Sequence, residues 1–85
     1  MKFIVNNRLN QAVTDEIASL FPAEQTRVAE LEASGVLRSL YVAADFSAAW
    51  LIFEGDSHSE IEMAVATLPL YAFSDSEITP LAEIG

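Results

Sequence analysis

Glu24 is the position in this sequence best suited to chemistry. Counting 100° per residue from Ile17, it falls between Leu20 and Phe21 and in line with Val28 and Leu31 on one helical face. A carboxylate inside an apolar stripe is either buried against a partner or turned into a cavity. Burial lifts its pKa, which is how a glutamate becomes a usable base near neutral pH. A glutamate early in a helix also suits plain exposure at the N-terminal end, so spacing alone leaves both readings open. Arg38 lies in an apolar segment, and its planar fork can grip a carboxylate or simply reach solvent. Tyr41 and Trp50 suit either one wall of a small-ligand pocket or ordinary core. Desolvation of Glu24 is expected to raise its pKa modestly, with Arg38 opposing the rise if it lies close.

Other chemistries lack their residues. His58 is the only histidine and there is no cysteine, which removes thiolate nucleophiles, disulfides and any credible metal centre. Nothing near His58 resembles a nucleophile elbow. The three glycines, Gly35, Gly55 and Gly85, form no phosphate-cradling loop. Thirteen acidic residues oppose four basic ones (Lys2, Arg8, Arg27, Arg38), for a net charge of −9. A nucleic-acid partner is therefore not expected, because neutralising phosphates takes clustered Lys and Arg. From Tyr41 onward there are eight acids and no lysine or arginine, which disfavours an anionic membrane surface. No apolar run is long enough for a secretory leader or a membrane span. A soluble cytoplasmic protein is expected.

The elements that must position these residues can be read from patterning. With 85 residues, 52% of them hydrophobic, the chain makes one packed domain, 1–85. Lys2 to Asn7 reads as a strand. Thr14 or Asp15 caps a helix with Ile17, Leu20, Phe21, Val28 and Leu31 on its apolar face. Pro22 either kinks it or sits in the first turn of a restarted helix, and Gly35 stops it. Val36 to Ala44 and Ala48 to Glu54 read as two central strands around a hairpin loop, Asp45-Phe46-Ser47. Ser57 and Glu60 form a capping box for a second helix. Its inner face is Ile61, Ala64, Val65 and Leu68, and Pro69 ends it. Ser74 to Leu81 is the last strand, and Pro80 suggests a sheet edge.

The order βαββαβ is α+β and ferredoxin-like: a four-stranded antiparallel sheet with two helices on one face. Alternation then raises a question. Ala48, Trp50 and Ile52 point one way, and Ala49, Leu51 and Phe53 the other. In the preceding strand Leu40, Val42 and Ala44 oppose Leu37, Tyr41 and Ala43. Both faces are apolar and only one can meet the helices, so a face-to-face homodimer is expected.

Two segments resemble the muconolactone delta-isomerase family of the dimeric α+β barrel group. Ser34-Gly35-Val36-Leu37-Arg38-Ser39-Leu40-Tyr41 is similar to that family's E-G-T-W-R-H-L-W. Leu68-Pro69-Leu70-Tyr71-Ala72-Phe73-Ser74-Asp75-Ser76-Glu77-Ile78 is similar to its L-P-L-F-P-Y-M-D-I-E-V, and Phe53-Glu54 stands where it has F-D. The likeness covers about residues 20 to 81. It implies a homodimer or a ring of dimers, and a double-bond shift in an unsaturated, anionic lactone with no metal or organic cofactor. By the resemblance, Glu24 and Arg38 are the catalytic candidates, and Tyr41, Trp50, Phe46 and Tyr71 the substrate-binding ones. Asp45-Phe46-Ser47 replaces the family's G-H-Y, and Val42 replaces a second strand arginine. These departures remove counter-charge from the pocket region.

The expected function is thus a small cofactor-independent isomerase acting on a lactone or enolisable carbonyl compound. The alternative is a non-catalytic ligand-binding or assembly module of the same fold. A cofactor-free monooxygenase of the same barrel group is a third option. An apolar or carbonyl-containing small molecule is the expected ligand in each binding case.

Overall fold

The computed structural model describes residues 1–84. Strand β1 (Lys2–Leu9) buries Phe3 and Val5, the alternate positions of its apolar run. Helix α1 (Asp15–Ser19) is capped by Thr14, whose hydroxyl accepts from the Ile17 N–H at 3.2 Å. Helix α2 (Phe21–Ala33) starts anew after Leu20, with Pro22 in its first turn where no amide hydrogen bond is lost. Of the two expected outcomes at Pro22, a kink or a restart, the structure shows the restart. Gly35, at φ +83°, makes the left-handed exit that costs other residues strain.

The hairpin follows as β2 (Leu37–Val42) and β3 (Ala48–Glu54). Helix α3 (His58–Ala66) begins at Ser57, whose hydroxyl accepts from the Glu60 N–H at 3.2 Å. Glu60 reaches back to the N–H of Asp56 at 3.1 Å, one residue before the cap. A 3₁₀ turn over Pro69–Phe73 leads into β4 (Ser74–Pro80).

The sheet order is β2-β3-β1-β4, antiparallel throughout. Each helical crossover skips one strand: β3 fills the gap between β1 and β2, and β1 the gap between β3 and β4. The central strands are thus β1 and β3, correcting the expectation that β2 is central. Pro80 does lie on an edge strand. One core joins sheet and helices on a single face: Phe3, Val5, Leu37, Leu51 and Phe53 meet Leu31, Ile61, Val65 and Leu68, each at most 4% exposed.

A bulge corrects the expected facing of β2. Leu37 pairs with Phe53 and Ser39 with Ile52, so Arg38 is the extra residue. Leu40 and Val42 then pair with Leu51 and Ala49 on the helix side, together with Leu37. Tyr41 pairs with Trp50 on the outer side. That outer face is less apolar than alternation alone implies. Around Ile4, Tyr41, Trp50 and Ile52, the register sets Asn6, Arg8, Ser39, Asp75 and Glu77.

Candidate active site

Between the sheet and the helices lies a cavity of about 580 Å³, well within the range of small-ligand sites. Its floor comes from the ends of three strands: Asn7 and Leu9 of β1, Leu40 and Val42 of β2, and Ala49 and Leu51 of β3. Glu24, Gln25 and Val28 of α2 and Leu68, Leu70 and Tyr71 around the 3₁₀ turn close the other side. Phe21, Phe46 and Tyr71 line it and are also exposed, which places them at its mouth.

Glu24 owes its position to two local breaks in regular structure. The restart of α2 at Pro22 sets Glu24 in the second half of the first turn, its N–H bonded to the Leu20 carbonyl at 2.9 Å. Pro69 likewise opens the 3₁₀ turn, whose first amides have no partner within the turn. One of these, the Leu70 N–H, donates to the Glu24 carboxylate at 2.9 Å. No other hydrogen bond reaches that carboxylate among the described residues. Burial pushes the Glu24 carboxyl above its ordinary value, and the Leu70 N–H pulls it part of the way back. The half-buried carboxylate in an apolar cavity has the environment of a general base.

The hairpin tip carries Phe46 over the mouth. Ala43 and Ala48 close the loop (N–H to carbonyl, 2.8 Å), and the Phe46 N–H donates to the Ala43 carbonyl at 2.8 Å. Asp45 accepts from the Ser47 hydroxyl at 2.6 Å and from the Ser47 N–H at 3.0 Å, which hold its carboxyl below the usual range. Phe46 adopts φ +62° and is 76% exposed. An aromatic residue in this left-handed conformation is strained by roughly 1–2 kcal/mol. Neither Phe46→Gly nor Phe46→Ala keeps the ring, but only glycine relieves the backbone. Urea denaturation is expected to show the glycine variant about 1 kcal/mol more stable than the alanine variant.

The structure gathers only part of the expected site. Glu24, Phe46 and Tyr71 line one cavity, while Arg38, Tyr41 and Trp50 do not. Arg38 is exposed at the β2 bulge, which turns Tyr41 to the outer face, where it pairs with Trp50, outward by the regular alternation of β3. Asn7, Gln25, Phe21 and the Leu70 N–H are additions that sequence reasoning missed. Asn7 carried a signal, as a polar residue at an inward position of β1. A backbone N–H carries none. No group of three or more His, Cys, Asp or Glu side chains gathers to hold a metal among the described residues.

The four-stranded antiparallel sheet with its helices on one face has a small isomerase-like enzyme fold. The chain belongs to the muconolactone delta-isomerase family, whose model matches residues 1–84. Among solved structures it is similar to a muconolactone isomerase, at TM-score 0.85 and 23% identity over 99% of this chain and 91% of that one. It is also similar to a 5-chloro-2-hydroxyhydroquinone dehydrochlorinase from Burkholderia phenoliruptrix AC1100, in complex with 2,5-dihydroxybenzoquinone. That likeness has TM-score 0.78 and 15% identity over 96% and 94% of the two chains. No curated protein matches the chain. No helix among the described residues is long and apolar enough to cross a membrane.

Proposed function

We propose that the protein is a cofactor-independent isomerase that moves a proton on an unsaturated lactone or an enolisable carbonyl compound. The observation that carries this is the Glu24 carboxylate, half-buried in the wall of an otherwise mostly apolar cavity. In this reading Glu24 takes the proton from an acidified C–H and returns it at the far end of the conjugated system. The dienolate formed between those steps needs donors. The Asn7 and Gln25 amides and the Tyr71 hydroxyl line the same space and serve that role. Phe21 and Phe46 cover the ring of the bound molecule. Arg38, Tyr41 and Trp50, expected to share the site, take no part within one chain.

Uptake of solvent deuterium at the carbon next to the carbonyl tests the proposal directly. Exchange requires ionised Glu24, so the rate is expected to rise with pH through a midpoint above the ordinary carboxylate value. A rate independent of pH across the acid range, or no exchange on a compound that binds, supports the alternative of a binding module.

Self-association belongs to the same reading. On the outer face Tyr41 is 65% exposed beside Trp50, with Ile4 and Ile52 next to them. Lys2 and Arg8 share that face with Asp75 and Glu77, so a two-fold related copy can meet it with opposite charges paired. Light scattering at micromolar concentration is expected to give at least twice the 9.3 kDa chain mass. Trp50→Glu is expected to return it to the monomer, and a wild-type monomer overturns the assignment.

A further inference from the structure

We infer that the cavity selects uncharged, ring-sized carbonyl ligands and disfavours carboxylates, because its walls carry the Glu24 carboxylate and, among the described residues, no lysine, arginine or histidine. The inference rests on reading the cavity as the ligand site and goes further by fixing the charge of what it holds.

Each basic group has a place elsewhere. Lys2 and Arg8 alternate along β1 with the inward residues Phe3, Val5, Asn7 and Leu9, which sets them on the outer face. The Arg27 guanidinium donates to the Thr67 hydroxyl at 2.9 Å and pairs with Glu30 at 3.2 Å. Arg38 is exposed at the bulge of the edge strand β2. His58 opens α3, 3.3 Å from the Glu62 carboxylate and edge-on to Phe3.

An anion entering the cavity would lose solvation against walls of Leu9, Val28, Leu40, Val42, Leu51 and Leu68 without gaining a counter-ion. It would also meet Glu24 in a low-dielectric space, where like charges repel far more than in water. The surroundings add to this, since the chain carries a net charge of −9 and no Lys or Arg after Arg38. A neutral carbonyl compound meets none of these costs. The Asn7 and Gln25 amides and Tyr71 offer neutral donors that fit carbonyl and ether oxygens, while the Ser47 and Ser74 hydroxyls already donate to Asp45 and to the Leu70 carbonyl.

The test is a matched pair: a carboxymethyl-substituted unsaturated γ-lactone as its free carboxylate and as its methyl ester, titrated calorimetrically at pH 7. The ester is expected to bind at least about tenfold more tightly than the acid. Glu24→Gln keeps the shape and removes the charge, so it is expected to strengthen binding of the acid and narrow the gap. Equal or tighter binding of the acid overturns the inference. So does a gap that Glu24→Gln leaves unchanged, or the absence of saturable binding by both compounds. An ester that binds selectively yet takes up no deuterium supports charge selection while overturning the proton-transfer reading.

Discussion

Glu24→Gln is expected to lower deuterium uptake on a bound lactone or enolisable ketone by at least about 100-fold, the scale of a positioned general base. The amide cannot accept the proton, yet it fills the same volume, and its oxygen can still accept from the Leu70 N–H that Glu24 uses at 2.9 Å. Stability is expected to move the other way. Burial raises the folded-state pKa of Glu24 above its unfolded value, so the folded chain holds that proton more tightly. The resulting stabilisation is complete below the unfolded pKa and is lost as pH rises through the folded one. At neutral pH the ionised Glu24 therefore costs stability, and the glutamine variant should unfold at equal or higher urea concentration than the native chain. Toward acid pH that advantage should disappear. A variant with undiminished exchange shows that another group carries the proton.

Phe53→Ala is expected to cost about 3–5 kcal/mol of folding stability, the usual range for emptying a buried aromatic site. Phe53 is fully buried on the central strand β3, paired with Phe3 on one side and Leu37 on the other. The rigid sheet backbone on both sides limits collapse into the space left behind. A domain of this size loses about 4–8 °C of Tm per kcal/mol. Thermal unfolding followed by circular dichroism should therefore show a fall of well over 10 °C, a large part of the total stability of a small domain. A fall of only a few degrees shows that the core between sheet and helices is loosely packed at its centre.

The order of elements was legible because each signal was local. Pro22 and Gly35 bounded α2, Ser57 and Glu60 announced α3, and Pro80 marked an edge. Glu24 was legible for a related reason: Glu24, Val28 and Leu31 lie within one unbroken helix, so their angular spacing survived the break at Leu20. Strand facing was legible only where the ladder is regular. Alternation holds along β1 and β3 but carries an error past Arg38, and Tyr41 accordingly lies outside the cavity while Leu40 and Val42 line it. The rank of β2 as an edge strand depends on which strand each crossover skips, a long-range fact that no local pattern contains. The Leu70 N–H escaped because an orphan amide looks the same in every residue type.

The bulge at Arg38 also gives β2 one residue that it can lose without exchanging its faces. In a regular strand, inside and outside are settled by odd and even position, and one extra residue exchanges them. Losing Arg38 while the hairpin and Leu37 stayed in place would therefore restore a regular ladder with every existing pair kept. Leu40 and Val42 would still face the chamber, and Tyr41 would stay on the outer side beside Trp50. The chamber lining is thus set by the register from Ser39 to Val42, and the one extra residue before it adds length without changing what faces inward.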